Sequence, residues 1–163
     1  MSLGSNLSVA LITALISGAI DWGSKTYVLF GLGMREGDAL SIISGILTFV
    51  MSWNHGINFG LFANDGDTTR FILSGLAIIV SLGVLIWIAR LPKFDRLASI
   101  AAGLIVGGAL GNAYDRIIYG AVADFLNVTC CGINNPFAFN IADIAIFLGV
   151  VVLAIRDPGK KTA

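Results

Sequence analysis

Aspartate side chains are the groups in this sequence best suited to chemistry. The chain has a single histidine, His55, which stands between Asn54 and Gly56 in a predicted turn, so a Ser-His mechanism and a histidine-rich metal site are both disfavoured. Asp143 is the most informative carboxylate, because it stands in an apolar segment with no basic residue close by. A charge in such a setting is costly and marks a candidate functional site whose partner must come from another segment.

Amides accompany the carboxylates at a helical spacing. Asn140 precedes Asp143 by three residues and Asn112 precedes Asp115 by three, so each pair shares one face of a helix. Two carboxylates held close in a medium of low dielectric constant cannot both ionise easily, so one keeps a proton while the other can accept one from water. This is the chemistry of an aspartic protease.

Several charged residues also have a simpler explanation as helix caps or ordinary ion pairs: Asp21, Lys25, Asp115 and Arg116. Capping explains Asp143 less well, because that residue is neither at a predicted helix start nor beside a cation. Asp124 carries little weight by itself. Gly103, Gly107 and Gly111 recur at every fourth position, which is typical of close helix packing.

The elements that must position these groups are membrane helices. Hydrophobic residues make up 56% of the 163 residues and charged residues 12%, and the mean hydropathy is +0.88. A bilayer core needs about 20 apolar residues per helix. We therefore predict a mainly α membrane protein, a single integral membrane domain over residues 1–163, with four transmembrane helices over residues 7–29, 71–89, 97–114 and 137–155. No small-residue processing site follows the first apolar segment, so we expect it to remain as an anchor.

Basic residues predict the orientation. They fill the link between the second and third segments and follow the fourth, at Arg90, Lys93, Arg96, Arg156, Lys160 and Lys161. Such clusters stay cytoplasmic, so both termini of this inner-membrane chain should be cytoplasmic and the acidic groups should lie near the outer leaflet. The periplasmic insertion over residues 31–69 is rich in β-branched and aromatic residues around 46–53, which predicts a small sheet lying at the membrane surface.

Composition also limits the partners. Ten basic and ten acidic residues give no net charge, so nucleic acid is excluded as a partner, and membrane lipids are expected instead. Cys130 and Cys131 are adjacent, which strains a bridge between them and leaves too few thiols for a metal cage. We expect no metal, no cofactor and a monomeric protein.

Five ordered motifs resemble those of the lipoprotein signal peptidase family, also called signal peptidase II, over essentially the whole chain. They are Asp21-Trp-Gly-Ser-Lys25, Asn54-His-Gly-Ile-Asn-Phe-Gly60, Gly111-Asn-Ala-Tyr-Asp-Arg116, Val122-Ala-Asp-Phe125 and Phe139-Asn-Ile-Ala-Asp143. Asn58 departs from the family pattern, which usually has a small apolar residue there.

The resemblance implies an intramembrane aspartic endopeptidase with Asp124 and Asp143 as its catalytic pair. It would remove the signal peptide from diacylglyceryl-modified prolipoproteins, cutting before the lipidated cysteine. Substrate-binding or supporting roles would fall to Asn54, Gly56, Asn112, Asp115, Arg116, Asn140, Asp21 and Lys25, with Asp115 paired to an arginine or to backbone amides.

Two other classes remain open. A small proton-coupled carrier would also use intramembrane carboxylates, but it would need polar residues near the middle of several segments. A noncatalytic membrane scaffold could use the glycine positions of the third segment to bind a partner, but it would leave Asp143 without a purpose.

Overall fold

Four apolar helices form the body of the protein. The computed structural model describes residues 3–56, 66–129 and 135–155. Its helices are α1 (Leu3–Thr26), α2 (Gly66–Ala89), α3 (Arg96–Tyr119) and α4 (Ile141–Ile155), and α1 continues into a π-helical turn at Tyr27–Gly31. Three of these helices are long and apolar enough to cross a membrane, and α4 is a shorter apolar helix. The predicted fold class is confirmed.

The outer surfaces of the helices suit lipid. Large apolar side chains are exposed on three helices, with Leu15 73%, Ile79 68% and Phe147 66% accessible. Such surfaces would be an aggregation hazard in water, whereas hydrocarbon tails cover them without cost. The exposed side chains therefore indicate the faces that contact the bilayer.

Helix α3 is central and packs against the other three helices. Asp95 caps its start by accepting a hydrogen bond from Ala98 N–H at 2.9 Å. Glycines let neighbouring helices approach its backbone: a Cβ atom at Gly103 would lie 2.5 Å from the carbonyl oxygen of Ala10 in α1, and one at Gly108 would lie 2.5 Å from that of Ala142 in α4. The helix ends at Gly120, whose φ of 82° is in the left-handed region.

A three-stranded antiparallel sheet lies at the end of the bundle where α1 and α3 finish. Its strands are β1 (Ala39–Ile43), β2 (Leu47–Asn54) and β3 (Val122–Val128), in the order β1-β2-β3. Buried apolar side chains join the sheet to the end of the first helix, among them Val28, Met51 and Phe125. The predicted strand around residues 46–53 corresponds to β2, whereas β3 comes from the segment after α3 and was not predicted.

The fourth helix differs from its prediction. It begins at Ile141 rather than at residue 137, because the backbone of Phe139 pairs with Leu126 of β3, with N–H···O distances of 2.7 and 3.0 Å. The 15 residues of α4 span about 22 Å, less than a hydrocarbon core of about 30 Å. Asp143 therefore lies in the first turn of α4, and the prediction that it lies away from a helix start was wrong.

Some predictions fall outside the described residues. They concern Asn58, Cys130, Cys131 and the basic residues Arg156, Lys160 and Lys161.

Candidate active site

Asp124 reaches the site from the third strand. It is opposite Ser52 in the register of β2 and β3, next to an irregularity in the pairing between Phe49 and Ser52. Its carboxylate accepts hydrogen bonds from Asn54 Nδ2 at 3.0 Å, on Oδ2, and from Asn140 Nδ2 at 2.6 Å, on Oδ1. Only 4% of Asp124 is accessible, so these two amides provide most of what water would otherwise supply.

Asp143 reaches the same site from the start of α4. Asn140 Oδ1 accepts the Asp143 N–H at 2.9 Å, and Asp143 Oδ2 accepts the Asn140 N–H at 3.2 Å. This reciprocal pair is a capping box, in which a residue before the helix and one in its first turn satisfy each other's backbone donors. The capping explanation considered for the sequence therefore applies to Asp143, in addition to its place beside Asp124.

Two amides connect the carboxylates. Asn140 contacts both of them, through its side chain to Asp124 and through its backbone to Asp143. Asn112 in α3 donates from Nδ2 to Asp143 Oδ1 at 2.9 Å, and its Oδ1 accepts from Asn140 Nδ2 at 3.1 Å. Asp124, Asn140, Asn112 and Asp143 thus form one hydrogen-bonded group drawn from β3, α3 and the entry to α4.

Behind this group lies a buried ion cluster. Lys25 Nζ is 2.8 Å from Asp21 Oδ2 and 2.8 Å from Asp115 Oδ2. Asp115 also accepts the Ala123 N–H at 3.2 Å. Of the two kinds of partner expected for Asp115, the backbone amide is present, and the cation paired with Asp115 is Lys25 and not an arginine.

Burial raises the pKa of Asp124. The carboxyl group has a pKa raised from 3.8 to about 6, chiefly through desolvation, with the charge of Asp143 acting in the same direction. The hydrogen bonds from Asn54 and Asn140 oppose that rise. An elevated carboxyl pKa beside a second carboxylate is the condition under which one of the two groups can hold a proton near neutral pH.

Arg116 and the turn after β2 border the pair. Arg116 Nη1 donates to the carbonyl oxygen of Asn112 at 3.3 Å, while its Nε is buried without a hydrogen-bond partner among the described residues. Gly56 N–H donates to Asn54 Oδ1 at 2.9 Å. Gly56 has a φ of 101°, and a Cβ atom there would meet Leu73 at 2.6 Å, so this turn requires glycine.

All ten candidate residues thus lie within or beside one hydrogen-bonded assembly. Sequence analysis missed the backbone N–H of Ala142, which donates to Asp21, and did not identify the amide expected for Asp115 as that of Ala123. No side-chain signal could have revealed them. Within the described residues, no group of three or more His, Cys, Asp or Glu side chains is arranged to hold a metal ion.

Apolar helices of membrane length, with two carboxylates joined by hydrogen bonds at one end of the bundle, define the class as a polytopic membrane protein. The sequence model of a family described as signal peptidase (SPase) II matches residues 13–157. The chain belongs to the signal peptidase II family, which makes it a peptidase.

Individual relatives agree with this membership. The chain is 45% identical over 156 residues to a lipoprotein signal peptidase of Methylobacterium radiotolerans, covering 94% of this chain and 87% of the relative. It is 38% identical over 148 residues to a lipoprotein signal peptidase of Rhodopseudomonas palustris, covering 89% of this chain and 88% of the relative. A solved structure described as a bacterial membrane enzyme is similar with a TM-score of 0.76 and 26% identity, covering 91% of each chain.

Proposed function

We propose that this chain is an intramembrane aspartic endopeptidase with Asp124 and Asp143 as its catalytic dyad. Its substrates are prolipoproteins that carry diacylglycerol on a cysteine, and it cuts the signal peptide off immediately before that cysteine. The observation that supports this most directly is the bridge through Asn140, which hydrogen-bonds Asp124 at 2.6 Å and Asp143 at 3.2 Å.

The dyad would work by acid–base catalysis on a water molecule. The ionised carboxylate accepts a proton from the water as the water oxygen attacks the scissile carbonyl carbon, and the protonated carboxyl group gives its proton to the carbonyl oxygen. When the tetrahedral intermediate collapses, the C–N bond breaks and the leaving nitrogen takes the proton that came from the water. A hydroxyl group of the intermediate returns its proton to the other carboxylate as the C=O bond re-forms, which regenerates the dyad. Because coupled carboxylates titrate as a pair, we assign the two roles to the dyad and not to either residue.

The surrounding residues suit a peptide substrate. The unpartnered Nε of Arg116 could donate to a substrate backbone carbonyl, since a buried donor without a partner gains from any acceptor that arrives. The apolar sheet beside the dyad would hold an extended peptide, while the acyl chains stay in the bilayer against the exposed helix faces.

The membrane orientation follows from the distance between the basic link and the dyad. Arg96 starts α3 and Asn112 lies 16 residues further on, which is about 24 Å along a helix. With the basic link cytoplasmic, the dyad lies near the outer leaflet. In a variant with both native cysteines replaced by serine, a membrane-impermeant thiol reagent should label Glu36→Cys but not Lys93→Cys in cells with only the outer membrane permeabilised. The reverse labelling would contradict this orientation.

The deciding experiment is a cleavage assay in detergent with a diacylglyceryl-modified prolipoprotein and its unlipidated form. We expect cleavage of the lipidated form alone. Asp124→Asn and Asp143→Asn should each lower kcat by about 10²- to 10⁴-fold, the usual contribution of a general acid or base. Asp38→Asn is a matched control, because this carboxylate caps an exposed turn of the sheet through Arg35 N–H at 2.7 Å. Turnover near wild type in either dyad variant would contradict the assignment.

A further inference from the structure

Lys25 is the only cation in the described residues that forms ion pairs with two buried aspartates. It projects from α1, is 3% accessible, and lies between Asp21 and Asp115, which are 1% and 3% accessible. An i,i+4 pair on a helix surface would be worth little, whereas this buried ammonium is shared by two carboxylates and joins α1 to α3.

Each of the two aspartates also accepts a hydrogen bond from the backbone next to a dyad residue. Asp21 Oδ1 accepts the N–H of Ala142, the residue immediately before Asp143, at 2.9 Å. Asp115 Oδ2 accepts the N–H of Ala123, the residue immediately before Asp124, at 3.2 Å. Two chains of contacts therefore run from one ammonium group to the residues immediately before the two dyad aspartates.

A third chain of contacts runs through Asn112. Lys25 Nζ donates to Asn112 Oδ1 at 3.1 Å. Because an ammonium group can only donate, this contact requires the amide oxygen of Asn112 to face Lys25 and its NH₂ group to face Asp143. Lys25 therefore helps to orient the amide that makes the Asn112 to Asp143 hydrogen bond at 2.9 Å, together with Asn140 Nδ2, which donates to the same Asn112 oxygen at 3.1 Å.

We propose that Lys25 is a positioning residue that sets the separation and orientation of Asp124 and Asp143. This inference rests on the proposed function of the dyad. Lys25 touches neither dyad carboxylate, so it acts on the reacting groups through the contacts that place them and, over a longer distance, through its charge, which lowers the pKa of Asp124. Misplacement of about 1 Å can cost about 100-fold in rate even when it arises away from the chemistry.

The first test compares Lys25→Met with Asn6→Ala. Asn6 is a fully buried amide at the opposite end of the bundle, where it joins Lys93 O, Asp95 N–H and the Ser99 hydroxyl at 2.8 to 3.0 Å. Each variant is assayed at a temperature at which the same fraction of it is folded. We expect Lys25→Met to lower kcat about 100-fold with little change in KM. Asn6→Ala should leave kcat and KM near their wild-type values. Equal kcat values for the two variants would overturn the proposal.

A second pair of variants decides the question if Lys25→Met does not fold. Asp21→Asn and Asp115→Asn remove the same charge but differ in geometry. Asp115 uses Oδ2 for both its contacts, and one amide oxygen can reproduce them. Asp21 uses one oxygen for Lys25 and the other for Ala142, so the amide must give up one contact.

We therefore expect kcat to fall about tenfold further in Asp21→Asn than in Asp115→Asn, the cost of about one hydrogen bond. Equal kcat values in these two variants would overturn the proposal. The dyad variants distinguish a failure of this proposal from a failure of the proposed function. If Asp124→Asn and Asp143→Asn retain turnover, the proposed function fails, whatever the Lys25, Asp21 and Asp115 variants show.

Discussion

The side-chain amide of Asn140 donates to Asp124 across 2.6 Å while its amide oxygen accepts the backbone N–H of Asp143 at 2.9 Å. One residue therefore both caps the fourth helix and orients the carboxylate that arrives from the third strand. The two tasks use different atoms, the oxygen for the cap and the nitrogen for Asp124, so they can be separated by substitution.

Asn140→Ser should separate the two tasks. Both Asn140→Ser and Asn140→Ala lose the buried hydrogen bonds from Nδ2 to Asp124 and Asn112, so both should be less stable than wild type. Serine caps a helix about as well as asparagine, so Asn140→Ser should remain more stable than Asn140→Ala by about 1 kcal/mol. Both variants lack the amide donor to Asp124, so both should lose turnover in the cleavage assay. A serine variant with wild-type turnover would contradict this role of the Asn140 nitrogen.

The sequence was sufficient to predict three of the four helices and to select the residues of the candidate site. Apolar segments of membrane length correspond to α1, α2 and α3 because helices in a bilayer must satisfy their backbone groups internally, which ties hydropathy closely to structure. Motif resemblance selected Asp124 and Asp143, and the structure brings both carboxylates to one hydrogen-bonded group.

Long-range pairing was not predictable. Strand β3 follows α3 directly and pairs with a strand about 70 residues earlier, at Ser52 and Asp124, so no local pattern indicates it. Strand β3 also pairs with Phe139 through Leu126, which delays the start of α4 to Ile141. The Lys25 to Asp115 ion pair joins two helices, whereas sequence spacing reveals pairs within one helix only.

Glycine contacts predict where the bundle tolerates added volume. Gly103→Ala should destabilise the protein by about 1–3 kcal/mol, the usual cost of overpacking, since a Cβ atom there would lie 2.5 Å from Ala10 O. Gly75→Ala in α2 is the matched control, because nothing lies within 4 Å of its Cβ position. That variant should gain about 0.5–1 kcal/mol from reduced backbone freedom. Thermal unfolding in detergent measures both, and equal midpoints would contradict the packing described for α1 and α3.

The raised pKa of Asp124 should make stability depend on pH. Its pKa is about 6 in the folded protein against 3.8 for an ordinary aspartate, so the folded state holds the proton more tightly. Its contribution to stability is complete below pH 3.8 and is lost as the pH rises through about 6. The asparagine of Asp124→Asn does not ionise, so only wild type loses this stability as the pH rises. The unfolding midpoint of the variant, measured relative to that of wild type, should therefore be higher at pH 8 than at pH 5. A difference that does not change with pH would contradict the raised pKa.

Asn54 should control the limb of the pH–rate profile that reports Asp124. Its hydrogen bond to Asp124, at 3.0 Å, favours the ionised carboxylate and lowers the pKa of that group. Asn54→Ala removes this donor, so the pKa of Asp124 should rise and that limb of kcat/KM should move to higher pH by about one unit, whether Asp124 acts as the acid or as the base. Asn54→Asp keeps an oxygen for the Gly56 N–H but puts a like charge beside Asp124, so the same limb should move further still. A profile in which both limbs stay at the wild-type pH in both variants would mean that it does not report the ionisation of Asp124.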